Sequence, residues 1–380
     1  MLRVALRMLT GDAAKYLGLV FGVAFAVMLM AQQGAVFVGL MLRTANQIID
    51  VHDADLWVMD PRGIYVDETE PMPESALWRV RGIEGVAWAT PFFKGLTVAR
   101  APDGRLQQVV LMGVDDASLA GAPPRMLVGS AEDLRRPGGI VIDRVGALFI
   151  WPGEEPAPGR VLEMADRRAT VVGIAEAGAP FTTFPVVYAR YSEALRFAPP
   201  PRKPLSYILV RAKEGTDPAA LSARIAAETG LKAHTWQEWS WLTIKYYLTR
   251  TGIPINFGIT VALGFIIGAA VVGQTFYIFV LENLRQFGAL KAMGASNRTL
   301  LSMVLAQAAT VAALGYGIGI GMAAAFFEIT GRVNVDLRGF FLPWQMAAIV
   351  AAAVLVIIVV ASLASIRKAL TLDPAIVFRT

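Results

Sequence analysis

The chain has 380 residues, 55% of them hydrophobic, with a formal net charge of +5, no cysteine and only two histidines, His52 and His234. Disulfides and thiolate metal centres are thereby excluded, and two histidines leave little for imidazole ligation or catalysis. A mean hydropathy of +0.52 with a pI near 9.5 points to a membrane protein whose basic excess reports topology, not nucleic-acid binding.

Residues 1–15 place Arg3, Arg7 and Lys15 ahead of an uncharged run over 16–42. Ala24, Phe25 and Ala26 resemble a signal cleavage pattern, but the run continues far beyond a signal's short apolar core, so an uncleaved anchor is expected. Three more uncharged runs cover 251–281, 299–327 and 339–366. Each exceeds the roughly 20 apolar residues that cross a bilayer as a helix, which predicts four spanning helices.

The polar segment 43–250 carries 24 basic and 25 acidic side chains. Residues 43–51 and 236–250 read as helical extensions of the adjoining spans, able to carry their tilt outward. Residues 54–59 read as a strand, 73–81 as a short helix with Pro73 near its start, and 85–93 as another strand. The order recurs at 205–212, then a helix capped by Asp217 with Pro218 in its first turn and Gly230 at its end, then 231–235. Two such βαβ units, 43–94 and 205–250, would make an α+β sandwich of ferredoxin type. Between them 95–204 reads as a β-rich insert, with hairpins pairing 96–100 with 106–114 and 161–164 with 170–174. Pro199, Pro200, Pro201 and Pro204 mark the return to the first subdomain. The pairs Asp115–Asp116 and Glu154–Glu155 read as turn residues.

Arg285, Lys291 and Arg298 lie within 282–298, and Arg367, Lys368 and Arg379 within the tail 367–380, whereas 328–338 balances Arg332 and Arg338 against Glu328 and Asp336. The bias makes both termini and the 282–298 loop cytoplasmic and 43–250 extracytoplasmic. Trp236, Trp239, Trp241, Tyr246, Tyr247 and Trp344 suit an interfacial belt or local packing. The four runs contain no Asp, Glu, Lys, Arg or His, which argues against transport driven by an ion gradient. Gly18 with Gly22, and Gly264 with Gly268, have the four-residue spacing of a close helix contact and are candidates for a dimer seam; Gly315 with Gly319 and Gly317 with Gly321 share the spacing. The 380 residues contain no phosphate loop, nucleophile elbow or His-Glu-x-x-His pair, so no catalytic, cofactor-binding or metal residue is expected.

The connection 282–298 is too short to fold alone. On a helix, Phe287, Leu290 and Met293 recur at three-residue steps and would form an apolar ridge for a partner groove. Gly294 would end that helix and Ser296 cap the next. A basic amphipathic turn resting on lipid is the other reading.

The order of one span, a large outer domain and three spans, with Glu282, the run Phe287-Gly288-Ala289-Leu290-Lys291-Ala292-Met293-Gly294-Ala295-Ser296, and the closing Asp373-Pro374-Ala375 before Arg379, resembles the MacB/FtsX-like permeases of ABC systems, of the type VII architecture. Leu290 to Gly294 and Ser296-Asn297-Arg298 are most similar to the DevC-like branch. The resemblance implies a dimer, homo- or heteromeric, in the bacterial inner membrane, each copy engaging a separate ABC ATPase that uses ATP and Mg while the permease binds no cofactor. It makes Glu282, Arg285, Gln286, Phe287, Gly288, Leu290, Lys291, Met293, Gly294 and Ser296 the coupling residues, with Phe287, Leu290 and Met293 inserting and Gly288 allowing close approach. It further implies a porter-like outer domain, a periplasmic adaptor (membrane fusion protein) and an outer-membrane channel, with mechanotransmission exporting lipidic or amphiphilic cargo. The alternative is an FtsX-like permease that transmits a signal to an extracytoplasmic enzyme without transport. Membrane lipids are partners in either case, and nucleic acid is not.

Overall fold

The computed structural model describes residues 2–198, 205–333 and 340–370. The chain begins with α1 (Leu2–Thr10), α2 (Ala13–Arg43) and α3 (Asn46–Ile49), then β1 (Leu56–Met59), α4 (Ser75–Arg81), β2 (Val86–Arg100), β3 (Leu106–Val114), β4 (Arg125–Val128) and β5 (Gly139–Asp143). It continues with α5 (Arg144–Ile150), β6 (Val161–Met164), β7 (Arg167–Glu176), β8 (Val186–Arg190), α6 (Tyr191–Phe197), β9 (Tyr207–Ala212), α7 (Pro218–Thr229), β10 (Lys232–Thr235) and α8 (Trp236–Arg250). The last helices are α9 (Ile253–Glu282), α10 (Leu284–Ala292), α11 (Asn297–Val333) and α12 (Trp344–Leu370). Two compact units result: Leu40–Thr251, and Met1–Gly39 with Gly252–Thr380. The proline cluster Pro199, Pro200, Pro201 and Pro204, residues 334–338 of the expected short loop, and the tail with Asp373, Pro374, Ala375 and Arg379 lie outside the described residues.

In the first of these units β10, β1, β9 and β2 lie side by side in that order, all antiparallel to their neighbours. Because β9 separates β1 from β2, and β1 separates β9 from β10, the two βαβ units interleave in the ferredoxin arrangement. Apolar side chains from α4 and α7 (Ala76, Val80, Leu221, Ile225) close over Leu56, Val58, Ile208 and Val210 on one face. Helix α7 shows why its ends were readable: Asp217 accepts from the Ala219 and Ala220 amides, and Gly230 turns the chain at φ +71°. The opposite face carries Trp57, Phe92, Tyr207 and Leu209, in one core cluster with Trp239 of α8.

The segment read as a mostly β insert differs in three respects. First, β2 is unbroken: Val86 to Phe92 pair with β9, and Phe93 to Arg100 pair with β3. The insert is thus a continuation of the same strand. Second, its strands close a ring, β2-β3-β8-β5-β7-β6 and back to β2, around Phe93, Leu111, Ile142, Met164 and Val187. Third, α5 and α6 each follow a strand directly, and the β6–β7 hairpin turns in two residues, Ala165 and Asp166, both at positive φ. Neither adjoining span extends as expected. Helix α2 stops at Arg43 and α3 starts at Asn46, while α8 ends at Arg250 before α9 begins at Ile253. Trp239 and Tyr247 are buried within the domain, while Trp241 and Trp344 are exposed, so the expected aromatic belt divides between local packing and surface.

In the other unit, α2, α9, α11 and α12 are long and apolar enough to span a bilayer. Helix α2 is central. A Cβ on Gly22 would meet Val271 at 2.7 Å, one on Gly268 would meet Ala26 at 2.5 Å, and one on Gly264 would reach Met30 at 3.5 Å. These glycines therefore seat α2 against α9 of the same chain, which corrects their assignment to a dimer seam. Four-residue glycine spacing permits close packing without specifying whose helix approaches. Gly315 and Gly319 likewise abut Val23 and Val27, whereas Gly18 is exposed with no neighbour within 4 Å.

Replacing Gly268 with Leu should lower the thermal midpoint of the chain in detergent, by the equivalent of about 1–3 kcal/mol; an unchanged midpoint with lost dimers would return the seam to an intermolecular role. A second expectation concerns pH. Burial raises the carboxyl of Asp50 to about 6, although the Gly178 amide donates to it at 2.7 Å, and burial raises Asp143 to about 6 against amides from Gly146 and Val186. A carboxyl raised in the folded state binds its proton more tightly there, so its contribution is full below the unfolded value and is lost as pH rises through about 6. The urea midpoint of the outer domain should be higher at about pH 5 than at about pH 7.5. Asp50→Asn keeps the acceptor without the titration and should shrink the difference; a variant showing the full difference would clear Asp50 of any part in it.

Candidate functional site

Residues 282–298 fold as a bounded helix. Asn283 makes the corner from α9: its Nδ2 donates to the Phe279 carbonyl at 2.8 Å, and its own carbonyl accepts from the Phe287 amide at 3.0 Å. At the far end Gly294 adopts φ +93°. Its amide donates to the Lys291 carbonyl, and the Ala295 amide donates to the Leu290 carbonyl, both at 3.0 Å. This paired closure needs a residue free of the left-handed penalty, and glycine is that residue. Ser296 Oγ then accepts from the Thr299 amide at 3.2 Å and starts α11.

The face that α10 presents differs from the expected ridge. Phe287 is only 1% exposed and packs in the bundle core with Phe279, Val280 and Leu300, Gly288 is buried, and Leu290 is half-buried against the same core. Met293 is 76% exposed. Each three-residue step falls about 60° short of a full turn, so two steps carry the direction round by about 120°. Phe287 thus anchors α10 to its own bundle. Glu282, Arg285, Gln286, Met293, Gly294 and Ser296 are exposed, and Lys291 is half-buried.

Three features escaped sequence reasoning. Helix α1 is docked, with Ala5 and Leu9 buried and the Ala5 carbonyl accepting from Gln307 Nε2 of α11 at 2.7 Å. Leu2, Ala5, Leu6 and Leu9 carry the helical repeat that signals this, hidden in what reads as a basic leader. Lys15 forms an ion pair with Glu282 and lies 2.8 Å from Asp12, whose Oδ1 accepts the Lys15 amide where α2 starts. Between the α1–α2 and α9–α10 corners lies a cleft of about 600 Å³, lined by Arg7, Asp12, Lys15, Glu282, Asn283 and Gln286 among others. Both members of the Lys15–Glu282 pair are more than a third exposed, which limits its strength to that of a surface pair. Among the described residues no group of three His, Asp or Glu side chains is placed to hold a metal ion. The cleft and the α10 face present charges of both signs, amides and apolar side chains, Val4 and Met293 among them.

Four spanning helices, a ferredoxin-like domain with a closed strand ring after the first of them, and a short amphipathic helix between the second and third define a polytopic membrane protein with a large extramembrane domain. A family model described as the MacB-like periplasmic core domain matches residues 16–228, and one described as the FtsX-like permease C-terminal matches residues 258–374. The chain belongs to the MacB/FtsX-like permease family. It is 29% identical over 123 residues to an uncharacterized ABC transporter permease of Mycobacterium tuberculosis, covering 32% of this chain and 34% of that one. It is 25% identical over 243 residues to the macrolide export ATP-binding/permease protein MacB of Agrobacterium fabrum, covering 62% of this chain and 37% of that one. Those matches span about a third of the length of each relative. The crystal structure of the periplasmic region of MacB from Actinobacillus actinomycetemcomitans aligns with 54% of this chain and 96% of its own, at 14% identity and a TM-score of 0.38. The extracellular domain of the transporter YknZ from Gram-positive bacteria aligns with 48% and 98%, at 13% identity and a TM-score of 0.36.

Since Phe287 belongs to the bundle core, Phe287→Asp should cost several kcal/mol of stability, roughly 3–5 as for a large core truncation with a buried charge added, and reduce the folded yield from membranes. Met293→Asp should leave yield and thermal midpoint unchanged. The opposite pattern would turn the helix round.

Proposed function

We propose that the chain is the permease subunit of an ATP-driven exporter of the mechanotransmission kind, working as a dimer, homo- or heteromeric, in the bacterial inner membrane with both termini cytoplasmic. A separate ABC ATPase consumes ATP and Mg and docks on the cytoplasmic α10 corner. Closure of the ATPase is passed to the outer domain, which acts with a periplasmic adaptor and an outer-membrane channel, as in the DevC-like branch, to expel lipidic or amphiphilic cargo. The observation that carries this reading is α10 itself: a helix stopped at both ends by hydrogen-bonded caps, anchored inward through Phe287 and presenting Arg285, Gln286 and Met293 outward. Such an element can receive a push and pass it to two spanning helices without bending.

The coupling set is accordingly narrower than the resemblance implies. Glu282, Arg285, Gln286, Met293, Gly294 and Ser296 meet the ATPase, with Lys291 at the margin and Leu290, Phe287 and Gly288 seating the helix. Lysine and arginine on this side, against the balanced outer segment, support the orientation. The apolar runs 16–42, 251–281, 299–327 and 339–366 contain no Asp, Glu, Lys, Arg or His for an ion gradient to act on.

The test is co-purification from native membranes, with bound proteins and lipids identified, followed by reconstitution. Arg285→Glu with Met293→Asp should abolish cargo-stimulated ATPase activity and release the ATPase while the permease stays folded. Full coupling in that variant would end the docking role of α10. Adaptor-free ATPase cycling that activates a cell-wall hydrolase would replace export with signal transmission.

A further inference from the structure

The outer domain contains a cavity of about 590 Å³ that the export reading does not use. Its wall is built where β2 changes partner. Lys94 lies two residues beyond Phe92, the last β2 residue paired with β9, and its side chain is only 5% exposed. Ser206 holds the backbone there, its Oγ accepting the Lys94 amide and donating to the Lys94 carbonyl, both at 3.3 Å. Lys94 Nζ lies 2.6 Å from Asp67 Oδ1, and Asp67 Oδ2 accepts from the Tyr247 hydroxyl at 3.0 Å.

An ammonium has three donors. Among the described residues Asp67 is the acceptor that Lys94 finds, so two donors of a nearly buried cation have no protein partner. A pair built only to fasten β2 to the 65–71 segment would be replaced at little cost by apolar residues, and burying a charge short of acceptors is unfavourable. Burial accordingly pulls the Lys94 ammonium below the usual lysine range, against the opposing charge of Asp67. The remaining wall is amphiphilic. Tyr65 stacks on Tyr246 at 3.9 Å and meets Tyr247 edge-on at 5.6 Å, while Leu96 and Val110 supply aliphatic surface and Thr182 lies exposed in the lining. The volume falls in the range of small-molecule sites.

We infer that this cavity binds an amphiphile whose anionic head, a carboxylate or a phosphate, is gripped by the Lys94 ammonium and whose apolar body lies along Tyr65, Leu96 and Val110. Asp67 holds the ammonium in place and Tyr247 holds Asp67. The inference stands on the chain alone, since binding is read without an ATPase, adaptor or transport.

The experiment is calorimetric titration of the full chain in lipid nanodiscs with 4-phenylbutyrate, with 4-phenylbutan-1-ol and 4-phenylbutylamine as neutral and cationic controls. The phosphate monoester of the same alcohol distinguishes the two heads. The acid should bind saturably at one site and both controls should fail. Lys94→Met should weaken the acid roughly tenfold or more, the loss of a charged hydrogen bond. Thr182→Trp, which obstructs the cavity and leaves the Lys94–Asp67 pair intact, should block binding with an unchanged thermal midpoint. Asp67→Asn should keep or tighten binding, because the competing carboxylate is gone. Non-saturable uptake, equal binding of acid and alcohol, or undiminished binding in Lys94→Met or Thr182→Trp would each overturn the assignment.

Discussion

The membrane-embedded unit depends on the close approach of α2 to its neighbours. Between helices in lipid there is no hydrophobic gain to be had, because the tails are as apolar as leucine, so association rests on van der Waals fit. Gly22 and Gly268 bring α2 and α9 together, and Gly315 and Gly319 bring α11 onto the same helix. Everything at the α10 corner inherits this geometry. Phe287 enters the core that those contacts create, Gln307 fixes α1 from α11, and Glu282 meets Lys15 only because the ends of α9 and α2 lie together.

In the outer domain the comparable constraint is the continuity of β2. Fifteen residues of one strand serve the ferredoxin-like sheet with their first half and the closed ring with their second. The two cores, around Leu56 and Ile208 on one side and around Leu111 and Ile142 on the other, thereby share a backbone segment. The Lys94 cavity lies beside this change of partner. A strand passing from one sheet to another leaves room there that neither core fills.

Much of this was legible because the signals were local. Uncharged runs announced the four spans, and Asp217, Pro218 and Gly230 marked both ends of α7 within a few residues. The strand-helix-strand repeat revealed the ferredoxin arrangement, since each half keeps its own periodicity. What was missed depends on distant partners. Strands β5 and β8, of five residues each, are defined by parallel pairing with β7 and β3, and nothing within five residues distinguishes such a strand from a loop. The interleaving of the glycines failed for a related reason, because Gly22 and Gly268 are far apart in the chain and their meeting is invisible to spacing. The ridge on α10 failed through arithmetic: three-residue steps look like a face over one step and drift off it over two. Lys94 and Asp67 lie 27 residues apart and carry no motif, and only the fold brings them within 2.6 Å.

The position of β1 carries a consequence for the order in which the chain can assemble. Leu56 pairs with both Val210 and Thr235, so β1 cannot complete its pairing until nearly the whole of this domain has been made. The ring of β2, β3, β5, β6, β7 and β8 needs only residues 86–190 and has its partners earlier. Contacts of such high sequence separation close slowly, because loop entropy is lost before the contact rewards it. The pairing of β1 thus spans far more of the chain than any pairing within the ring, although β1 follows α2 and α3 by only a few residues.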